Sequence, residues 1–160
     1  PWRDAMLAVS GNLDTRFGGP SSKLEDANNH RRTIYGFVSR HKLNELLRLF
    51  DFPDPNITSD RRSSTTVPLQ QLFVLNSGFM DRQADTLVKR LEKDVPDGGS
   101  QRIQRAYQLL FARNPSEREL AIGAEFLKQV ESSSEETDKL SPWHQYALAL
   151  LGSNEFTYID

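Results

Sequence analysis

Apolar residues recur at helical spacing through much of this 160-residue chain, and breakers built on proline and glycine cut the pattern into short pieces. Each such stripe is one face of an amphipathic helix, and every face needs another to cover it. After Pro96-Asp97-Gly98-Gly99, Ser100 is placed to cap a helix carrying Ile103, Ala106, Tyr107 and Leu110, expected to end at Asn114-Pro115. Ser116 and Glu119 then form an S-x-x-E capping box, in which each side chain satisfies a free backbone N–H of the other, and Leu120, Ala124, Leu127 and Val130 follow. Residues 131–139 read as a solvated linker. Ser141-Pro142 supplies an N-cap with proline in the first turn of a last helix bearing Trp143, Tyr146, Ala147, Leu150 and Leu151, with His144 expected on its exposed side. Three helices on short connections read as a bundle.

The first half is less regular. Trp2, Ala5, Met6 and Val9 predict a short helix stopped by Ser10-Gly11, and residues 14–30, with Gly18-Gly19-Pro20 and Asn28-Asn29, predict loop. Thr33 to Val38 suits either a strand or a helical piece, and the sequence leaves both open. Leu43, Leu46, Leu47 and Phe50 predict a helix that Pro53 and Pro55 must end. From Asp51 to Thr66 the chain is an irregular connection, long enough that its backbone groups need side-chain partners. Thr66 is placed to cap a further stripe of Leu69, Leu72, Phe73, Met80, Ala84, Leu87 and Leu91, which Asn76-Ser77-Gly78 interrupts, giving either two helices or one with a kink. The fold class expected is mainly α: a single domain at residues 1–160, an irregular helical bundle of about six helices with one long ordered loop.

Composition narrows the function classes. Hydrophobic residues at 37% are enough for a core, and a chain of this size buries roughly 68–70% of its unfolded surface without metals or disulfides. There is no cysteine, which removes disulfides, thiolate zinc, iron–sulfur clusters, C-x-x-C-H haem attachment and thiol nucleophiles together. With 20 basic and 22 acidic residues the net charge is −2, so nucleic acid is not an expected partner. No 18-residue apolar run exists to span a bilayer. His30, His41 and His144 stand at no metal-ligand spacing, so neither a metal nor a cofactor is expected. The chain opens at Pro1-Trp2 inside a helical pattern, and a fragment of a longer polypeptide is therefore expected.

One charge asymmetry stands out. From His30 to Arg62 there are seven basic residues against four acidic ones, with Arg31, Arg32, Arg61 and Arg62 flanking the long loop. Guanidinium forks match carboxylate, sulfate or phosphate, which makes these four a candidate anion site. The alternative is structural, with the arginines tying the loop down through Asp51, Asp54 and Asp60. Asn76 shares the stripe of Phe73 and Met80, and a buried amide must find partners, so Asp51, Asp54, Gln70 and Asn76 are expected to form a polar network. Asp51 and Asp54 are also the residues a carboxylate-pair hydrolase would use.

Several separated runs carry a family likeness: Arg31-Arg32-Thr33-Ile34-Tyr35, Phe50-Asp51-Phe52-Pro53-Asp54, Arg61-Arg62, Thr65 to Leu72 with Leu75-Asn76, Ala106-Tyr107 with Arg113-Asn114-Pro115, and Ser153 to Phe156 with Tyr158. In these the chain resembles the planctomycete-specific C-terminal domain of unknown function. It departs from the commoner family form, which has Cys near Thr58, Arg at Ser64, and Asn at Thr66 and Gly152. The resemblance implies a domain that follows cytochrome-c-type modules in large exported proteins, hence an extracytoplasmic location and sibling domains as partners. It implies no reaction. The functional expectation is a non-catalytic structural or interaction module, with an anionic ligand such as an acidic polysaccharide as a second candidate partner; the rival is a hydrolase acting on polysaccharide through Asp51 or Asp54.

Overall fold

The computed structural model describes residues 2–39, 41, 43–49, 52–53, 56, 77–132 and 140–157. Among them are seven α-helices and no strand: α1 (Trp2–Ser10), α2 (Glu45–Leu49), α3 (Gly78–Asp94), α4 (Gly99–Phe111), α5 (Glu117–Ser132), α6 (Pro142–Leu151) and α7 (Asn154–Thr157). The mainly helical class is therefore as the stripes require.

Helices α3 to α6 close a ring, in which α3 packs on α4, α4 on α5, α5 on α6 and α6 back on α3; α1 lies on the outside of α3. The core is the meeting of their apolar faces: Met80, Ala84, Leu87 and Leu91 of α3, Ile103 and Ala106 of α4, and Ala147 and Leu151 of α6 are at most 2% exposed. Met6 joins them from α1, and Phe156 of α7 closes the end.

The helix starts follow their sequence signals closely. Ser116 and Glu119 form the reciprocal box, Ser116 N–H donating to Glu119 Oε2 at 2.7 Å and Glu119 N–H to Ser116 Oγ at 3.3 Å. Ser141 Oγ accepts from His144 N–H at 3.2 Å, and Ser77 Oγ accepts from Met80 N–H at 3.2 Å, so the interruption at 76–78 is a helix N-terminus. The part of that stripe before Ser77 lies outside the described residues.

Several expectations about the helices need correction. The α1 face is turned, so that Arg3, Met6, Leu7 and Ser10 are buried while Trp2, Ala5 and Val9 pack at its margin. Gly98, at φ +73°, caps α4 in place of Ser100, which lies within the first turn. That helix ends at Phe111, where Ala112 turns left-handed, rather than at Asn114-Pro115. His144 is not on an exposed side: it is 8% exposed, with Nε2 2.9 Å from Asp81 Oδ1 across the α3–α6 interface. A periodicity argument puts a titratable ring outside by default, and here a carboxylate 63 residues away makes burial affordable.

Candidate functional site

Residues 11–39 form an irregular lobe beside α1, and guanidinium groups hold it. Arg3, 3% exposed on the inner face of α1, donates through Nη1 to Arg31 O at 2.8 Å and through Nη2 to Asn29 O. Burial pulls the Arg3 pKa below its ordinary value, and the adjacent Asp4 carboxylate pulls it back up. Asp4 in turn accepts from the Thr33 N–H at 2.7 Å, opening a short 3₁₀ turn at Thr33–Tyr35. Arg31 lies over the Tyr35 ring with Cζ 4.1 Å from its centroid, and donates to Pro20 O at 2.8 Å and to Gly18 O.

Main-chain bonds finish the lobe. Ser22 N–H donates to Tyr35 O at 3.0 Å, Phe37 N–H to Ser22 O at 2.8 Å, and Asp14 N–H to His30 O at 2.9 Å. The segment 33–38 is thus neither strand nor α-helix; it is a 3₁₀ turn running into an isolated bridge between Ser22 and Gly36. Gly36 is required there, because a Cβ would stand 2.8 Å from the buried Leu24 side chain. The same use of arginine recurs at helix ends, where carbonyls lack intrahelical donors. Arg90 Nη1 caps Ala8 O and Val9 O of α1 at 3.1 and 2.8 Å, and Arg102 caps Val95 O and Pro96 O after α3 at 3.1 and 2.9 Å.

Of the sequence-derived candidates, Arg31 and Arg32 are described. Arg31 has its terminal nitrogens committed inside the lobe, and Arg32 is exposed beside it. Arg61, Arg62, Asp51, Asp54, Gln70 and Asn76 lie outside the described residues.

Two features of the lobe were not visible in the sequence. It exposes Phe17 at 97%, Ile34 at 76%, Phe37 and Val38, four of the seven exposed large hydrophobic residues among those described, Phe37 at the mouth of the cavity described next. Their exposure follows from backbone bonds between residues far apart in sequence, which no periodicity reports. Between the lobe, α2 and the start of α3 lies a cavity of about 960 Å³. Leu24, Phe37, Leu43, Leu46 and Phe79 give it apolar walls, while Arg3, Lys23 and Arg82 bring positive charge. Among the described residues no three His, Asp or Glu side chains gather as metal ligands, and no helix is long and apolar enough to cross a membrane.

The model of the PSD1 family, "Protein of unknown function (DUF1553)", matches residues 1–127. The chain belongs to that family. The DUF1553 match takes in the lobe, the cavity walls and α1 to α4, and reaches into α5. No curated protein and no solved structure matches the chain. In this DUF1553 chain the pinning residues Arg3, Arg31, Arg90 and Arg102 all fall within the matched region.

Proposed function

We propose that this DUF1553 domain is a non-catalytic docking module of a larger extracytoplasmic protein, and that the lobe of residues 11–39 packs against a sibling domain. The observation that carries the reading is the set of exposed side chains Phe17, Ile34, Phe37 and Val38 on a backbone held by Arg3 and Arg31. An aromatic or branched side chain left in water forgoes roughly 1.5–3 kcal/mol of burial, and a rigid base means that little ordering entropy is lost when a partner covers it. Sibling domains as partners, a cytochrome-c-type module among them, and the extracytoplasmic location are drawn from the family resemblance.

The test is limited proteolysis of the full-length polypeptide carrying Phe17→Ser and Ile34→Ser. Both side chains point to solvent, so the melting temperature of the domain should stay put. Loss of two anchors should release the domain at least about tenfold faster. Equal release from variant and parent would remove the docking role.

A further inference from the structure

We propose that Phe17 is an aromatic knob that seats in a concave apolar pocket of the sibling domain. The inference rests on the docking reading and adds to it the shape of the partner and the residue that anchors it.

Phe17 is 97% exposed, so its ring touches almost nothing of its own chain. The backbone on either side of that ring is nonetheless held. Before it, the Arg16 N–H donates to Asp14 Oδ1 at 3.0 Å and the Arg16 guanidinium to Asp14 Oδ2 at 2.7 Å, while the Asp14 N–H donates to His30 O at 2.9 Å. After it, the Gly18 N–H donates to the Tyr35 hydroxyl at 3.0 Å, and Arg31 donates to Gly18 O and Pro20 O. Gly18 and Gly19, at φ +77° and +93°, make the left-handed bend between those two carbonyls, and a Cβ on Gly19 would stand 3.4 Å from Arg31 Nη1. Arg31 is itself seated on the Tyr35 ring, with Cζ 4.1 Å from the centroid.

Capturing a side chain from a mobile loop costs backbone as well as rotamer freedom; with both neighbours of Phe17 already fixed, most of the backbone part is met before a partner arrives. The charges flanking the ring are engaged within the lobe, Arg16 by Asp14 and Arg31 by carbonyls, so apolar shape governs the contact. That shape is concave. A ring left bare on both faces is covered only by a partner that surrounds it, because a flat surface would meet one face alone. A pocket filled by one aromatic anchor is also where binding energy concentrates in an interface.

Release of the domain from the full-length polypeptide under limited proteolysis is the measurement, made on single variants. Phe17 makes almost no contacts of its own, so its substitutions should leave the melting temperature unchanged. Phe17→Ser should release the domain at least about tenfold faster and Ile34→Ser less than about threefold faster. Phe17→Leu should fall between the parent and Phe17→Ser. Phe17→Trp separates a pocket from a flat surface: it overfills a pocket made for one phenyl ring and should speed release, whereas on a flat surface it buries more area and slows it. The knob is overturned if Ile34→Ser matches Phe17→Ser, or if Phe17→Trp holds as well as the parent. It is overturned equally if release depends on protein concentration or on added phosphatidylcholine vesicles, which would assign the ring to a second copy or to a membrane. Fast release of the double variant alongside either of the first two results leaves the docking role standing and removes the knob alone; release of the double variant at the parent rate removes both.

Discussion

A side-chain carbon placed on Gly123 would stand 2.5 Å from the Tyr146 hydroxyl, which makes Gly123 the point where α5 meets α6. Tyr146 is unable to step aside: it is 7% exposed, and its ring packs against Phe126 and Trp143. Burial pushes the Tyr146 hydroxyl far above the ordinary tyrosine pKa, so it stays a neutral donor.

Gly123→Ala should therefore destabilise the domain. Alanine is favoured over glycine by about 1 kcal/mol in a helix, but overpacking of this kind costs about 1–3 kcal/mol, and Ile103 Cδ1 at 3.2 Å from the new carbon adds to it. A urea midpoint below that of the parent is the expected result. Adding Tyr146→Phe removes the nearest atom, and should recover part of the loss relative to Tyr146→Phe alone. Strict additivity of the two substitutions would place the strain elsewhere.

Acid should loosen the junction of α4, α5 and α7 in a way that one residue controls. Arg113 donates to Glu119 Oε1 at 2.7 Å and to Glu155 Oε1 at 2.7 Å. Those hydrogen bonds, with help from Ser116, hold the Glu119 carboxyl at about 2 against an ordinary 4.5, and Arg113 lowers Glu155 as well. A depressed carboxylate stabilises the fold above its unfolded pKa, and that contribution drains away as pH falls from 4.5 through about 2. Glu119→Gln keeps the capping geometry, because glutamine serves at that position too, but cannot titrate. Denaturant midpoints measured from about pH 6 down to about pH 2 should fall less steeply for Glu119→Gln than for the parent. Parallel curves would show that the pair contributes nothing to folding.

The bundle was largely legible because its signals are local. Capping at Ser116-Glu119 and Ser141-Pro142 is complete within four residues, and the α4 stripe of Ile103, Ala106, Tyr107 and Leu110 is buried as its spacing requires. Long-range polar partners were not legible. Nothing in the first helical stripe singles out Arg3, which Asn29 O and Arg31 O partner, and His144 reads as an exposed ring until Asp81 is brought to it. The α5 contact was misplaced for a related reason: Ala124, on the expected stripe, is exposed, while Gly123 is buried through having no side chain at all. Of the arginine-pinned loop expected at Asp51 to Thr66 only Phe52, Pro53 and Asn56 are among the described residues, and the arginine-held segment observed is the lobe before it, whose glycines and asparagines give no hint of what holds it.

Arg3 gives that lobe its sharpest test. Its two terminal nitrogens satisfy the carbonyls of Asn29 and Arg31, and its guanidinium lies over Phe79, with Cζ 5.6 Å from the ring centroid. Arg3→Met keeps most of the packing and removes every donor, leaving two carbonyls unpaired beside a buried side chain. A loss of about 2–3 kcal/mol is expected, since hydrogen bonds from a charged donor are worth about 1.5–3 kcal/mol and the orphaned acceptors add their own cost. Arg3→Lys restores the charge at a single point and should recover only part, because one ammonium does not reproduce the fork. Amide exchange separates this from general destabilisation. The Ser22 and Phe37 amides, which close the lobe, should exchange faster in Arg3→Met even under conditions where the amides of Ile103 and Ala147 keep their protection. Uniform acceleration across lobe and bundle would mean that the two unfold as one unit, and that Arg3 is an ordinary part of the core rather than the pin that holds the lobe in place.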